Sequence, residues 1–332
     1  MAHPEAGKVT EEILKKYGEM RERHVTRLNL TEHLFDLEKQ ATWDIPDKLV
    51  IGLAGYGVFV VRKQNPNQPI TPAEVLREYL PCIDLGAIAV HTHARTAEGH
   101  ISDVEPARSY LRQVIDPLRT KYGDKIVLDG GIGYYGKTFE DTVFPVLEGM
   151  YEVALVHPCP GVYGDMFRFY SPESVRAEVE LCERLGVKPM LDIHDTSDID
   201  TVRRWLLEPG LLSRPTYWHL LSPMGAGSIY SPNVEAMIDG LLYLVRRIKE
   251  LDKNAVIIVS QGGRPSLYYA VQAILMGLHV RIGMEDAIYK YPHKNELIKN
   301  NLEITKAIVE VARNLGREPA TADEYRKLLG LR

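Results

Sequence analysis

Eight short apolar runs alternate with amphipathic stretches after residue 46, and this alternation limits the folds open to the chain. Most runs are rich in Val, Ile and Leu, as strands buried on both faces should be. Eight strand–helix units in series predict an α/β fold, a TIM (β/α)8 barrel. A doubly wound open sheet is the alternative, but Gly55-Tyr56-Gly57-Val58 does not complete the GxGxxG expected after its first strand. The predicted strands are Leu49–Ala54, Ala87–His91, Lys125–Asp129, Tyr151–Val156, Lys188–Ile193, Thr216–Leu221, Ala255–Ser260 and His279–Met284.

Helix-start patterns lie between these runs. Thr71-Pro72-Ala73-Glu74 is a capping box with proline at the first helical position, and Thr321-Ala322-Asp323-Glu324 is a second capping box. Ser171-Pro172 and Ser231-Pro232 predict two more helix starts. A long last helix is predicted from one continuous face, with Gly316 able to end it. That face comprises Leu297, Asn301, Leu302, Thr305, Ile308, Val309 and Ala312.

Residues 1–45 precede the barrel, which we expect to occupy residues 46–332. They are charged and contain helical patterns such as Glu11–Arg23. We therefore predict an N-terminal helical arm, which would cover the barrel bottom or a neighbouring subunit.

The composition, with 45% hydrophobic and 26% charged residues, is that of an ordinary globular protein. A net charge of −5 gives no general attraction to nucleic acid or an anionic membrane, and no apolar run approaches the roughly 20 residues that cross a bilayer. The N-terminus lacks a basic-then-apolar signal pattern. Cys82, Cys159 and Cys182 are scattered and odd in number, which fits a reducing compartment. We expect a cytoplasmic protein with no nucleic-acid or membrane partner.

His91 and His93 stand at the end of the second apolar run. Residues i and i+2 of a strand point to the same side, so the two imidazoles should project together from its carboxyl end. Such a pair suits a borderline metal such as Zn²⁺, although two hydrogen-bonded surface histidines would give the same pattern. The active site of a TIM barrel lies at this end of the strands. The sequence therefore predicts a metal site at the barrel mouth.

Other polar residues follow the same strand ends. Barrel closure brings strand eight near strand two, so Glu285 can supply the third ligand of a catalytic zinc, with Asp129 and His194 as rivals. A salt bridge to Arg281 would also explain Glu285. Arg95 and Asp129 are candidates for binding the substrate. The polar strand-end residues are His91, His93, Arg95, Asp129, His157, Asp192, His194, Asp195, Ser222, Ser260, Gln261, Arg281, Glu285 and Asp286.

The Gly262-Gly263-Arg264 turn lies between strand seven and its helix. Glycines there let backbone N–H groups approach an anion at a helix N-terminus, and TIM barrels often bind phosphate near strands seven and eight. Arg264 adds a fork for a carboxylate or phosphate. The turn predicts an anion site, and a plain tight turn is the other interpretation.

Three motifs together resemble those of the β-keto acid cleavage enzyme family. They are Pro69-Ile70-Thr71-Pro72-Ala73-Glu74, His91-Thr92-His93-Ala94-Arg95 and His279-Val280-Arg281-Ile282-Gly283-Met284-Glu285-Asp286, in the family's order and spacing. The similarity runs from about Leu49 to the C-terminus. The resemblance implies a zinc-dependent TIM barrel, usually a homotetramer. It also implies condensation of a β-keto acid with acetyl-CoA, which releases acetoacetate and a new CoA thioester.

The resemblance also implies roles for the residues of this chain that match the family's motifs. It implies that His91, His93 and Glu285 hold one zinc per subunit, other divalent metals being possible. Asp286 matches the family's proton-abstracting base and Arg281 the arginine that supports it. Gly262-Gly263-Arg264 matches the family's turn of strand seven loosely.

Two positions depart from the family pattern. Phe59 stands where well-studied members carry a glutamate, and Leu128 stands where they carry an active-site serine. The metal residues are unaffected, whereas the substrate pocket is less polar. Two other functions are compatible with the sequence: a zinc hydrolase in which Asp286 or Asp129 activates water, and a metabolite-binding protein without turnover.

Overall fold

The chain divides into two compact units, Met1–Asp44 and Ile45–Arg332. The computed structural model describes residues 7, 10, 11, 13–18, 40–58, 60–158, 161–163, 166–222 and 233–331. In the first unit, residues 11 and 13–18 are helical, inside Glu11–Arg23, whose pattern predicts a helix. A helical arm over all of residues 1–45, and its contact with the barrel or a neighbour, stays a prediction.

The second unit is built on a closed barrel of eight parallel strands. Each barrel strand pairs with the next barrel strand along the chain, and the eighth pairs with the first. Every predicted apolar run overlaps one of them, so the TIM barrel is confirmed and the open doubly wound sheet is excluded. The strands are β1 (Ile51–Leu53), β2 (Ala89–Thr92), β3 (Val127–Gly131), β4 (Val153–Val156), β5 (Lys188–Ile193), β6 (Tyr217–Ser222), β7 (Val256–Gln261) and β8 (His279–Ile282).

Helices cover the outside of the barrel and follow its last strand. They are α1 (Pro72–Asp84), α2 (Val104–Tyr122), α3 (Phe139–Leu147), α4 (Pro172–Leu185), α5 (Thr196–Val202), α6 (Val234–Leu251), α7 (Ser266–Leu275), α8 (Asn301–Asn314) and α9 (Ala322–Leu329). Two small sheets lie outside the barrel. Lys48–Leu49 pairs in parallel with Glu318–Pro319, and Gly161–Tyr163 pairs in antiparallel with Met166–Arg168.

Three predicted helix starts are confirmed at the capping residue. Thr71 and Thr321 form reciprocal capping boxes at α1 and α9, and the Ser171 side chain caps α4. The start of α6 is capped by Asn233, whose side chain accepts a backbone N–H. Ser231-Pro232, which predicted that start, lies outside the described residues.

The last long helix begins later than predicted. The Asn300 side chain accepts the N–H of Glu303 and caps α8, so Leu297 precedes the helix. Leu297 instead forms an antiparallel bridge with Tyr289. The helix pattern was extended too far because the side-chain cap at Asn300 outweighs one more apolar residue in register. Gly316 follows the helix with φ +77°, as the predicted stop requires.

Apolar side chains form two layers, one inside the barrel and one between the strands and the helices. The inner layer includes Ala89 and Val127, together with Tyr325 and Leu329 of α9. The Tyr325 hydroxyl lies 2.7 Å from that of Tyr217 at the start of β6. Helix α9 therefore closes the amino-terminal end of the barrel and leaves the carboxyl end for polar residues.

Arg317 fastens the segment that precedes α9. Its guanidinium donates to the carbonyls of Pro46, Lys48, Ile274 and Leu278 at 2.8–3.1 Å. The side chain is 2% exposed, so four neutral acceptors replace water around a buried cation. The C-terminal segment is thereby bound to both the beginning and the end of the barrel.

Composition predicts no membrane-spanning segment and cysteines without a disulfide framework. Among the described helices, none has both the length and the apolar character that crossing a membrane demands. Cys82 and Cys182 are buried thiols, and burial raises the pKa of each to about 12. Cys159 lies outside the described residues.

Candidate metal centre

Strand alternation turns His91 and His93 toward the barrel interior. Ala89 of β2 lies in the inner apolar layer, so the residues two and four positions later face the same side. Both histidines are buried, and their Nε2 atoms are 3.0 Å apart. Burial lowers the pKa of His93, which favours the neutral imidazole that binds a metal. The structure thus brings the two side chains together as their spacing predicts.

Glu285 approaches both histidines from the loop after β8. Its Oε1 is 3.1 Å from His93 Nε2 and 3.7 Å from His91 Nε2. The loop after β1 passes directly over this side chain, and a Cβ on Gly57 would lie 2.0 Å from Glu285 Cγ. The Glu285 N–H also donates to the Ala54 carbonyl at 3.0 Å. Glycine at position 57 therefore allows the carboxylate to reach the histidines.

These three side chains fit a divalent metal ion. One donor atom from each lies within 4.8 Å of the others. Two imidazoles and one carboxylate form a common ligand set of catalytic zinc, which keeps a further position open. The second oxygen of Glu285, Oε2, is buried without a hydrogen-bond partner among the described residues. A buried carboxylate oxygen in that state favours a cation beside it, and the Arg281 guanidinium approaches only the other oxygen, Oε1.

Asp129 lies behind His91. Its Oδ1 is hydrogen-bonded to His91 Nδ1, on the side of the ring away from His93. A carboxylate in this position fixes the tautomer of a metal-binding histidine and leaves the lone pair on Nε2. Asp129, a rival for the third ligand, is thus placed to orient His91.

Leu128, next to Asp129, faces the other side of β3. It belongs to the outer apolar layer, between strands and helices, whereas Asp129 is in register with His91. Leu128 therefore does not stand in the site, and the geometry does not support the interpretation that it replaces an active-site serine. Phe59, the other departure from the family pattern, lies outside the described residues.

Arg281 links the metal centre to Asp286. Its Nη2 lies 3.4 Å from Glu285 Oε1 and 3.1 Å from Asp286 Oδ2. Burial raises the pKa of Asp286 to about 6, with Arg281 opposing the rise and Glu285 adding to it. Burial also acts to raise the pKa of Glu285, but the two imidazoles and the guanidinium outweigh it and hold that pKa well below its usual range. Adjacent carboxyl groups whose pKa values are pushed apart are typical of acid–base sites.

Arg95 holds the loop after β1 over this centre. Its Nη1 donates to the carbonyls of Gly57 and Val60, and its Nε donates to the Thr96 carbonyl at 3.0 Å. The side chain is 1% exposed. Arg95 thereby fixes the glycine that covers Glu285, while its predicted contact with the substrate stays a prediction.

The Gly262-Gly263-Arg264 turn contacts the loop after β8. The Gly263 N–H donates to the Asp286 carbonyl at 2.7 Å, and the Arg264 guanidinium lies 3.8 Å from the centre of the Tyr289 ring. The turn therefore supports the backbone of Asp286. Anion binding by this turn stays a prediction, and it would require these contacts to be exchanged.

A second histidine–carboxylate group lies at the ends of β4, β5 and β6. Asp192 is 1% exposed and is surrounded by His157, His194 and His219. The predicted rival ligand His194 belongs to this group. The sequence pointed to three of the four residues separately but gave no pairing, and it missed His219. The only signal for His219 is a polar residue inside an apolar run, two positions after the inward-facing Tyr217.

Charges in the second group are set by Asp192. Burial acts to raise its pKa, but His194, His157 and His219 outweigh this and hold the pKa well below its usual range. Burial lowers the pKa of His194, and the Asp192 carboxylate more than reverses that effect, raising it to about 9. Burial lowers the pKa of His219 to about 4. Without a metal, Asp192 and His194 form an ion pair at neutral pH, and His219 is neutral.

Tyr134 connects the two groups. Its hydroxyl is hydrogen-bonded to His157 Nε2, and its ring lies edge-on to that of His93 with centroids 6.2 Å apart. A Cβ on Gly131 would lie 2.2 Å from the Tyr134 ring, so the glycine at the end of β3 makes room for it. Among the described residues, the mouth of the barrel therefore holds two histidine–carboxylate groups joined through one tyrosine.

Comparison with known proteins finds a matching family and enzymes of related sequence. The model of the beta-keto acid cleavage enzyme family matches residues 48–331. The 3-keto-5-aminohexanoate cleavage enzyme of Acetoanaerobium sticklandii is 28% identical over 285 residues, which are 86% of this chain and 99% of that enzyme. The 3-dehydrocarnitine:acetyl-CoA trimethylamine transferase of Rhizobium meliloti is 27% identical over 295 residues, 81% of this chain and 91% of the relative.

Solved structures support the fold alone. The apo structure of ObcA superposes with a TM-score of 0.63 at 17% identity, covering 80% of this chain and 66% of ObcA. This chain thus spans just under two thirds of ObcA in that comparison. The ternary complex of ObcA with a C4-CoA adduct and oxalate gives a TM-score of 0.64, also at 17% identity, covering 80% of this chain and 68% of ObcA.

Proposed function

The chain belongs to the beta-keto acid cleavage enzyme family, and on that premise we propose that it splits a β-keto acid by condensing it with acetyl-CoA. This is a Claisen and retro-Claisen acyl transfer, with acetoacetate and an acyl-CoA as products. The observation that carries the proposal is one buried metal-ligand set in direct contact with an arginine–aspartate pair. Acetyl-CoA appears in the name of the Rhizobium meliloti relative, which supports its use as co-substrate.

We propose that His91, His93 and Glu285 hold one divalent ion per subunit and that this ion is Zn²⁺. The ligand set, the Glu285 Oε2 atom without a partner and the carboxylate behind His91 support the assignment. When bound, the ion would supply Lewis-acid polarisation of the keto group and of the enolate derived from it.

Asp286 is the proposed base that removes the α-proton. Its Oδ2 is held by Arg281 at 3.1 Å, while Oδ1 is buried without a hydrogen-bond partner among the described residues. One oxygen is thus fixed and the other is available as a proton acceptor. Arg281 contacts the carboxyl groups of both Asp286 and Glu285, so it holds the base at a set position beside the metal ligand.

We also propose which residues bind the substrate, how many subunits assemble and where the protein is located. Arg95 and the Gly262-Gly263-Arg264 turn are the proposed anion contacts, and Asp129 is proposed to position His91 beside the substrate. The family resemblance supports a homotetramer, and composition supports a cytoplasmic location. A monomeric mass by light scattering at micromolar concentration would contradict the tetramer.

The test is a screen of β-keto acids with and without acetyl-CoA, with the metal content of each sample measured in parallel. We expect consumption of one or more β-keto acids only when acetyl-CoA is present, with acetoacetate and an acyl-CoA formed in equal amounts. Cleavage without acetyl-CoA would contradict the transferase and support metal-assisted hydrolysis. No turnover of any keto acid by metal-loaded protein would contradict catalysis of this class.

A further inference from the structure

The Asp192 group presents a second set of metal-ligand atoms. His157 Nδ1 lies 3.0 Å and His194 Nε2 lies 3.3 Å from the same oxygen, Asp192 Oδ2. One atom from each residue lies within 4.8 Å of the other two. These distances resemble those among His91, His93 and Glu285, where the two closest pairs are 3.0 and 3.1 Å apart. Ligand atoms around a tetrahedral ion with bonds of about 2.0–2.2 Å are spaced in this way.

Each of the three side chains also has a hydrogen-bond partner on the atom opposite its ligand atom. His219 Nδ1 lies 2.7 Å from Asp192 Oδ1, the oxygen that faces away from the other two histidines. His194 Nδ1 donates to the Leu221 carbonyl at 3.1 Å, and His157 Nε2 is hydrogen-bonded to the Tyr134 hydroxyl. A partner on the atom opposite the ligand atom fixes the ring tautomer and orientation in metal sites.

The hydrogen-bond partners of His194 require a proton or a metal ion between its Nε2 and Asp192 Oδ2. The Leu221 carbonyl can only accept, so His194 Nδ1 carries a hydrogen, and neutral His194 then has its lone pair on Nε2, directed at Asp192 Oδ2. A lone pair cannot face a carboxylate oxygen without a proton or a metal ion between them. Among the described residues, the ion-pair partners of Asp192 are all histidines, with no Lys or Arg. The cluster is therefore completed by a proton on His194 or by a metal.

We propose that His157, Asp192 and His194 form a second divalent-metal site, separate from the one held by His91, His93 and Glu285. Two imidazoles and one carboxylate select ions of borderline softness, such as Zn²⁺, Co²⁺ or Fe²⁺, over Mg²⁺ and Ca²⁺. The ligands come from the ends of β4 and β5, whereas those of the first site come from β2 and the loop after β8. The assignment does not depend on the substrate or on the reaction proposed above.

The test is metal stoichiometry in the full chain. Protein is stripped with a chelator, reloaded with Zn²⁺, passed through a desalting column and measured by mass spectrometry of the metal. We expect two equivalents per chain in the unaltered protein and one equivalent in Asp192→Asn and in His194→Gln. The His91→Ala, His93→Ala double variant should also keep one equivalent, at the second site. His293→Gln is the matched control: it alters an exposed histidine that belongs to neither group, and it should keep two equivalents.

The outcomes separate a metal site from a cluster that is only hydrogen-bonded. One equivalent in the unaltered protein, or two in both Asp192→Asn and His194→Gln, would overturn the proposal. Circular dichroism checks that each variant is folded. If Asp192→Asn does not fold, zinc anomalous diffraction from crystals of the unaltered protein decides the matter. Two anomalous peaks, one beside Asp192, support the second site, and a single peak beside Glu285 contradicts it.

Discussion

The two histidine–carboxylate groups at the barrel mouth use the same residue types but leave their carboxylates in different states. Glu285 has one oxygen facing two histidines and an arginine, and its other oxygen has no partner among the described residues. Both oxygens of Asp192 are taken by histidines. The first arrangement thus leaves a carboxylate oxygen unengaged among the described residues, and the second does not. Neighbours, more than the ligand types themselves, thus determine what such a group can do.

The sharpest difference should be in turnover, because only the first group has a carboxyl group with an oxygen available as a base. We expect Asp286→Asn to lower turnover about 10²–10⁴-fold, since an amide cannot accept the α-proton. The metal content should not change, because Asn can still accept from Arg281. Steady-state rates and metal analysis on the same sample provide the check. The matched control is Asp103→Asn, at an exposed cap position without a side-chain hydrogen bond, and it should retain full activity. Near-normal turnover in Asp286→Asn would assign the base elsewhere.

Access of Glu285 to the histidines depends on Gly57, in the loop after β1. A Cβ at position 57 would lie 2.0 Å from Glu285 Cγ, so Gly57→Ala should push the carboxylate away. We expect metal affinity at the first site to fall by about 100-fold or more, beyond the usual effect of losing an outer partner of a ligand. Competition with a chromogenic chelator measures this. Gly18→Ala, where a Cβ meets nothing within 4 Å, is the control. Unchanged affinity in Gly57→Ala would show that the loop gives way without moving Glu285.

A change behind a ligand should affect its own group and leave the other unchanged. Asp129→Asn removes the charge behind His91, and we expect affinity at the first site to fall about 10–100-fold. The Asp192 group should be unaffected, because its contacts involve other strands. Calorimetric titration of Zn²⁺ into stripped protein tests both statements. Equal losses in both groups would indicate one coupled site in place of two.

The smallest effect should come from the connection between the groups. Tyr134→Phe removes the hydroxyl bonded to His157 but keeps the ring beside His93. We expect the free energy of unfolding to fall by about 1 kcal/mol, the net value of one hydrogen bond, with metal affinity at the first site unchanged. Urea denaturation of the two proteins measures it. A change in metal affinity at the first site comparable to that of Asp129→Asn would mean that the groups are coupled through this tyrosine.

Regular spacing predicts the barrel and the meeting of His91 with His93, whereas the choice of Glu285 over Asp129 and His194 as the third ligand is implied by the family resemblance. Alternation within one strand places the histidines together, and closure of eight strands brings Glu285 to them. The side on which Leu128 lies follows from the same alternation, counted from Asp129. The family resemblance matches Leu128 to an active-site serine, but the geometry of the strand turns Leu128 toward the helices.

The Asp192 group is not predicted as a group: Asp192 and His194 share an i, i+2 spacing at the end of β5, but no spacing links them to His157 or His219. They come from three strands, and their contacts depend on ring orientations fixed by Leu221 and Tyr134. The contacts of the Gly262-Gly263-Arg264 turn could not be predicted either. A turn pattern does not show that the Gly263 N–H donates to the Asp286 carbonyl. Long-range contacts of this kind are set by packing and have no local signal.

The barrel is closed by Glu318–Pro319 and α9, which lie far along the chain from β1, and this order affects folding during synthesis. Lys48–Leu49 pairs with Glu318–Pro319, and the inner apolar layer is complete only when α9 is in place. A nascent chain leaves the ribosome N-terminus first, so β1 lacks its β8 neighbour until more than 200 further residues have been synthesised. Until then the unfinished sheet exposes edges and apolar side chains. Barrel closure therefore waits for the synthesis of β8 and α9, and we expect newly made chains to rely on chaperones that shield these edges.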